Sequence, residues 1–155
     1  IGLMGSSFGG LVATLTASQR TDVACLALKC PVVDFAEELQ LEFGDDGMAQ
    51  WKATDTIPNI MGGSDRIALH YAFYEDALRQ IAYIPAQSIT APTVIVQGDK
   101  DEHVPLHQSQ RLYEALAGQK HLEILPGADH QFTRGDDFGR MTNLIADWLI
   151  SHLTG

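Results

Sequence analysis

Four short apolar runs, each broken off by glycine or proline, set the rhythm of the chain. Ile1 to Met4 is the first; a glycine-flanked turn follows at once, and then a segment in which Leu11 and Leu15 recur at helical spacing. That pattern reads as strand, tight turn, helix. Val23 to Leu28 (VACLAL) is ended by Pro31, Thr93 to Gln97 (TVIVQ) lies between Pro92 and Gly98, and Leu122 to Leu125 (LEIL) precedes Pro126-Gly127. Apolar runs without alternation belong to strands covered on both faces. Helical spacing fills the intervals: Leu112 and Leu116 mark a helix after Pro105, closed by Gly118, and Phe138, Met141, Ile145, Trp148 and His152 step by three and four near the end. Strands alternating with helices predict an α/β fold: a parallel sheet of about four strands with right-handed crossovers and flanking helices.

One interval is too long for a single crossover helix. Residues 35–89, between the second and third strands, are expected to form a helical, cap-like insertion within the one domain, 1–155. Inside it Ile67, Tyr71, Tyr74, Leu78 and Ile81 step four, three, four and three behind Ser64 as a candidate N-cap, which predicts one amphipathic helix. The chain shows no repeat, low-complexity tract or linker.

Composition narrows the partners. With 155 residues, 45% of them hydrophobic and 19% charged, the chain is long enough for one domain with a real core. Its 10 Lys and Arg against 20 Asp and Glu give a formal charge of −10, which argues against nucleic acid and anionic membrane surfaces, because binding phosphate takes clustered cations. No run of eighteen apolar residues offers a membrane span. Cys25 and Cys30, five apart in a strand and its exit, point to opposite faces and read as buried free thiols.

The candidate chemistry begins with Gly5-Ser6-Ser7-Phe8-Gly9, a GxSxG at a strand-to-helix turn. Small residues two positions either side of a nucleophile relieve crowding in a tight turn, and the helix N-terminus behind it favours developing negative charge. Here the sequence resembles the α/β-hydrolase family, and the resemblance runs over nearly the whole chain. It extends to GDKDEHVP, Gly98 to Pro105, which resembles the family's acid loop, and to GADHQF, Gly127 to Phe132, which resembles its histidine loop. The resemblance implies a Ser-His-Asp triad: Ser7 as nucleophile, His130 as base and Asp101 as the acid that orients it. Asp99 is the other acid within the loop, two residues too early for the pattern. Gln97 stands where the family often has His, and Asp129 precedes the base where a small residue is common; its charge is expected to act on His130.

The same resemblance implies an oxyanion hole with the Phe8 N–H as one donor, the second coming from a loop upstream of Ile1. The expected sheet is then the C-terminal half of the family's eight strands. Its first strand, Ile1 to Met4, is expected to pair with the N-terminal half or to self-associate through that edge. Trp51, Met61, Tyr71 and Tyr74 in the insertion are candidate substrate-binding residues, with ordinary core packing as the alternative for each. His103 and His107 are spaced as zinc ligands are, but Pro105 between them breaks a helix, and no metal or cofactor is expected. The function implied is a serine hydrolase acting on a carboxylic ester or related acyl bond of a small molecule. The alternatives are a peptidase or acyltransferase with the same triad, or a non-catalytic assembly module.

Overall fold

The computed structural model describes residues 1–57 and 69–153. Each of the four apolar runs is a strand: β1 (Gly2–Ser6), β2 (Cys25–Lys29), β3 (Thr93–Gly98) and β4 (Lys120–Leu125). They pair in parallel in the order β1-β2-β3-β4, the order of the chain. The register sets Ser6 beside Lys29, Lys29 beside Val96 and Gly98 beside Leu125. The strands therefore end along one rim, and the loops that leave β1, β3 and β4 are the three carrying the motifs.

Six helices accompany them among the described residues: α1 (Phe8–Ser18), α2 (Phe35–Thr54), α3 (Ala72–Ala77), α4 (Tyr83–Ala86), α5 (Leu106–Ala115) and α6 (Asp137–Leu153). The chain divides into two compact units, one of Ile1–Val33 with Ile81–Gly155, the other Asp34–Gln80.

In the first unit, β2 is buried along its length, as its unbroken apolar run requires. Ala27, Val94 and Val96 share a cluster with Leu125, Ala128, Phe132, Met141 and Ile145, against which Leu144, Trp148 and Leu149 of α6 also pack. Alternation sends Leu26, Leu28 and Ile95 to the other face, and all three are fully buried. α1 lies against β1 and β2, and α5 against β3 and β4. α5 stops earlier than its pattern suggests, because Leu116 is already extended (φ −60°, ψ 134°). Gly118 is not the left-handed cap expected of it: a Cβ there would sit 2.3 Å from Thr90 O, so it is needed for close backbone approach.

The second unit is narrower on its C-terminal side than the expected insertion of 35–89. α2 opens on Asp34, whose side chain accepts from Glu37 N at 3.1 Å, and it is interrupted at Gly44 (φ 61°, ψ −179°). Ala36, Leu39, Met48, Trp51, Ile57 and Ala77 form its core, with Tyr71 and Tyr74 packed on Trp51 at ring separations of 5.6 and 6.3 Å. The single helix expected from Ile67 to Ile81 is not present. Among its described residues only Ala72–Ala77 is helical, Leu78 is 51% exposed, and Ile81 already belongs to the first unit. The apolar stripe runs across a boundary between two cores instead of lining one. Ser64 and Ile67 lie outside the described residues.

No described helix is long and apolar enough to cross a membrane.

Candidate active site

Ser7 sits between the end of β1 and the first residue of α1, at φ 52° and ψ −125°, a conformation that costs a non-glycine residue on the order of 1–3 kcal/mol. Neighbouring backbone holds it there. Ser7 N donates to Lys29 O at 2.9 Å, and Ser7 O accepts from Gly10 N at 2.8 Å and Val32 N at 3.0 Å. Gly5 is required by the turn, since a Cβ there would lie 2.4 Å from Gly9 O. Gly9 is not: a Cβ on it meets nothing within 4 Å, whereas one on Gly10 would come within 2.5 Å of Pro31. The crowding expected at both flanking glycines of the GxSxG falls on Gly5 and Gly10. Phe8, the residue after Ser7, begins α1 and is 45% exposed.

The loops after β3 and β4 are fastened to each other. Lys100 N donates to Ala128 O at 3.0 Å, Gly127 N donates to Asp99 Oδ1 at 2.6 Å, and Ala128 O would lie 2.2 Å from a Cβ on Gly98. Asp99 is thereby a loop fastener. Asp101 instead meets His130, whose Nδ1 lies 2.9 Å from Oδ1 and 2.8 Å from Oδ2. A carboxylate only accepts, so Nδ1 carries the proton and Nε2 is the nitrogen left for another partner. The pair is enclosed, with His130 and Asp101 side chains 6% and 1% exposed. Asp101 Oδ1 also accepts from His103 N and Val104 N at 2.9 Å each. Burial alone pushes the Asp101 carboxyl up, but the bonds from His130, Val104, His103 and Cys30 outweigh it and hold the group below its ordinary value.

Beneath the pair lies the exit of β2. Cys30, at φ 42°, points its Sγ at His130 O, 3.8 Å away, and the Lys29 ammonium lies 5.5 Å from the Phe132 ring centroid. Burial, and then the charge of Asp101, push the Cys30 thiol up to about 12, so it stays protonated. Cys30, Asp101 and His130 are the one group of three potential metal ligands among the described residues, within 4.8 Å of one another. The protonated thiol and the hydrogen bond already on Nδ1 make that group a poor fit to an ion. Cys25 is buried and free, as is Cys30.

Among the described residues Ser7 Oγ makes no hydrogen bond; it is half-buried on the same rim as His130. Asp129 turns away from His130, both its oxygens accepting from Thr133, N at 2.9 Å and Oγ1. It caps the histidine loop. The His103 ring stands edge-on to His130 at 5.1 Å, with its Nε2 3.8 Å from Glu102. Trp51 has no exposed surface and donates its Nε1 to Leu69 O at 2.8 Å, the role of a core residue in its own unit. Tyr71 and Tyr74 pack in the same cluster, and Met61 lies outside the described residues. In sequence Gln97 stands out only as a departure from the family pattern, and Ser109 not at all. A glutamine inside the apolar run TVIVQG was the available signal, because a buried amide needs partners.

A parallel sheet with a strained serine at a strand-to-helix turn, and an Asp–His pair on the loops after two later strands, defines the α/β-hydrolase fold class. Within it, residues 1–155 match the prolyl oligopeptidase family, and the chain belongs to that family. A monoacylglycerol lipase of Mycolicibacterium smegmatis is 32% identical over 69 residues, 44% of this chain and 25% of that protein. A Mycobacterium tuberculosis protein provisionally named a phosphoribosyl transferase is 35% identical over 68 residues, 44% of this chain and 15% of that protein. The solved structure of mouse alpha/beta hydrolase domain-containing protein 10 superposes with a TM-score of 0.78 at 21% identity, over 98% of this chain and 62% of that one. The chain thus spans a quarter or less of these curated relatives and under two thirds of the solved protein.

Proposed function

We propose that this chain supplies the nucleophile, base and acid of a serine hydrolase that cleaves a carboxylic ester or related acyl bond through an acyl-enzyme. The observation that carries the reading is the enclosed Asp101–His130 pair, set on the same rim as a serine held at positive φ. Ser7 Oγ attacks the acyl carbon while His130 Nε2 takes its proton, and Asp101 holds the imidazolium that forms. The Phe8 N–H, next after the nucleophile at the head of α1, receives the oxyanion. Collapse breaks the bond to the alcohol, which leaves with the proton from Nε2. Water then enters by the same base catalysis, releases the acid and restores Ser7. No step calls for a metal or cofactor. The lipase relative supports an ester as the substrate class. Membership of the prolyl oligopeptidase family supports amide cleavage as the second reading.

The test is labelling by a fluorophosphonate, together with turnover of an ester series and of a prolyl peptide, in the full-length protein and its Ser7→Ala variant. Labelling should vanish in the variant, and ester turnover should fall by roughly four to six orders of magnitude with folding intact. A variant that still labels would exclude Ser7. Faster turnover of the prolyl peptide would select the second reading, and a parent that neither labels nor turns over either substrate would leave the assembly-module reading.

A further inference from the structure

Gln97 is the one polar side chain in the β3 run Thr93–Gln97 that faces the acid loop, and it is fully buried. Its amide is satisfied on all sides. Nε2 donates to Asp101 Oδ2 at 2.8 Å and to Val104 O at 3.1 Å, while Oε1 accepts from Ser109 Oγ at 2.8 Å. Ser109, on α5, is also fully buried. The orientation of the amide follows from chemistry: the carboxylate and the carbonyl can only accept, so nitrogen must face them, and the oxygen must face the hydroxyl.

The consequence lies in how Asp101 is held. Both backbone donors, His103 N and Val104 N, converge on Oδ1. Oδ2 has the His130 ring and Gln97. The Gln97 donor on Oδ2, opposite the two backbone donors on Oδ1, adds a second protein anchor against rotation of the carboxylate about its last torsion, besides the His130 ring itself. We propose that Gln97, oriented by Ser109, is a positioning residue that locks the plane of the Asp101 carboxylate and through it the ring of His130. This rests on the reading of Asp101 and His130 as acid and base. The chain of contacts runs from α5 through β3 to the acid loop and then to the histidine loop, so that helix and strand rather than loop set the angle of the base.

A donor on Oδ2 also draws charge from the carboxylate. The other groups about the ring are His103, edge-on, and the Cys30 thiol; Lys29 lies on Phe132, and Asp129 is taken by Thr133.

The experiment compares Gln97→Met, Gln97→His and Ser109→Ala in the full-length protein, with Ser7→Ala as control. Methionine keeps the volume and removes the amide; histidine can donate to Asp101 from one ring nitrogen and accept from Ser109 with the other. Gln97→Met should lower kcat about ten- to a hundredfold, the loss of one hydrogen bond to a charged group, with KM little changed. Gln97→His should recover most of the lost kcat, and Ser109→Ala should show the same loss in weaker form. A folded Gln97→Met with the parental kcat would overturn the proposal. If that variant does not fold, a folded Ser109→Ala indistinguishable from the parent would overturn it equally. The two readings fail separately: fluorophosphonate labelling that survives Ser7→Ala removes the triad, whereas labelling lost only in Ser7→Ala, with unchanged Gln97→Met kinetics, removes the Gln97 role alone.

Discussion

A methyl group added at Gly5 and one added at Gly9 would meet opposite fates, although both glycines belong to the same GxSxG. At Gly5 it would press on Gly9 O, and on Ala13 Cβ at 2.8 Å. Gly5→Ala is therefore expected to destabilise the fold by about 1–3 kcal/mol, the cost of overpacking against backbone. Gly9 lies in the first turn of α1 with open space around it, so Gly9→Ala should be neutral or stabilising by up to about 1 kcal/mol through helix propensity. Urea melts of the two variants check this, and equal losses would refute it. The motif was legible because small residues around a serine are a pattern of types. Which glycine bears the crowding was not, because the contact is between Gly5 and the carbonyl of a residue one helical turn on. Asp129 shows the same limit: its charge could be read from the sequence, but not the hydrogen bonds to Thr133 that turn it from His130.

At the level of elements, the acid and histidine loops act as one body. Asp99 binds the histidine loop through Gly127 N, and Asp101 binds the histidine itself. Asp101→Asn should cut turnover by roughly four orders of magnitude by favouring the wrong imidazole tautomer. Asp99→Asn, which keeps an oxygen for Gly127 N, should cost stability and leave most of the turnover; the reverse ranking would displace Asp101 as the acid. Because the Asp101 carboxyl lies below its ordinary value in the fold, its contribution to stability is complete above the unfolded value and is lost as pH falls through the folded one. Tm measured down through the carboxylate range should therefore fall less steeply in Asp101→Asn than in the parent. All four strands were legible as apolar runs closed by Gly or Pro, but only the inner pair, β2 and β3, is buried along its length; β1 and β4, at the two ends of the described sheet, are partly exposed. The stripe from Ile67 to Ile81 misled because periodicity does not say how many cores a run of apolar residues serves. α2 went unread for the opposite reason: Gly44 breaks its pattern midway.

For the whole molecule, the exposed side of β1 stands out. β1 pairs only with β2 among the described residues, and Ile1 and Met4 on or beside it are 59% and 54% exposed. An apolar strand with a free edge invites a further strand, and we expect this chain to associate through it, antiparallel if the partner is a second copy. Light scattering over a range of concentrations should show this, and Met4→Lys should weaken it; a concentration-independent monomer would refute it. The position of Ser7 beside that edge was plain from the sequence, whereas what pairs with the edge is not, because pairing depends on backbone that side-chain pattern does not encode. The sheet's strict chain order has one more consequence, for timing. On the ribosome the serine emerges first and the histidine roughly 120 residues later, on the order of ten seconds at about 5–20 residues per second. On the proposed mechanism Ser7 has no base until β4 docks on β3, so a nascent chain could not be acylated by its substrate before that strand is in place.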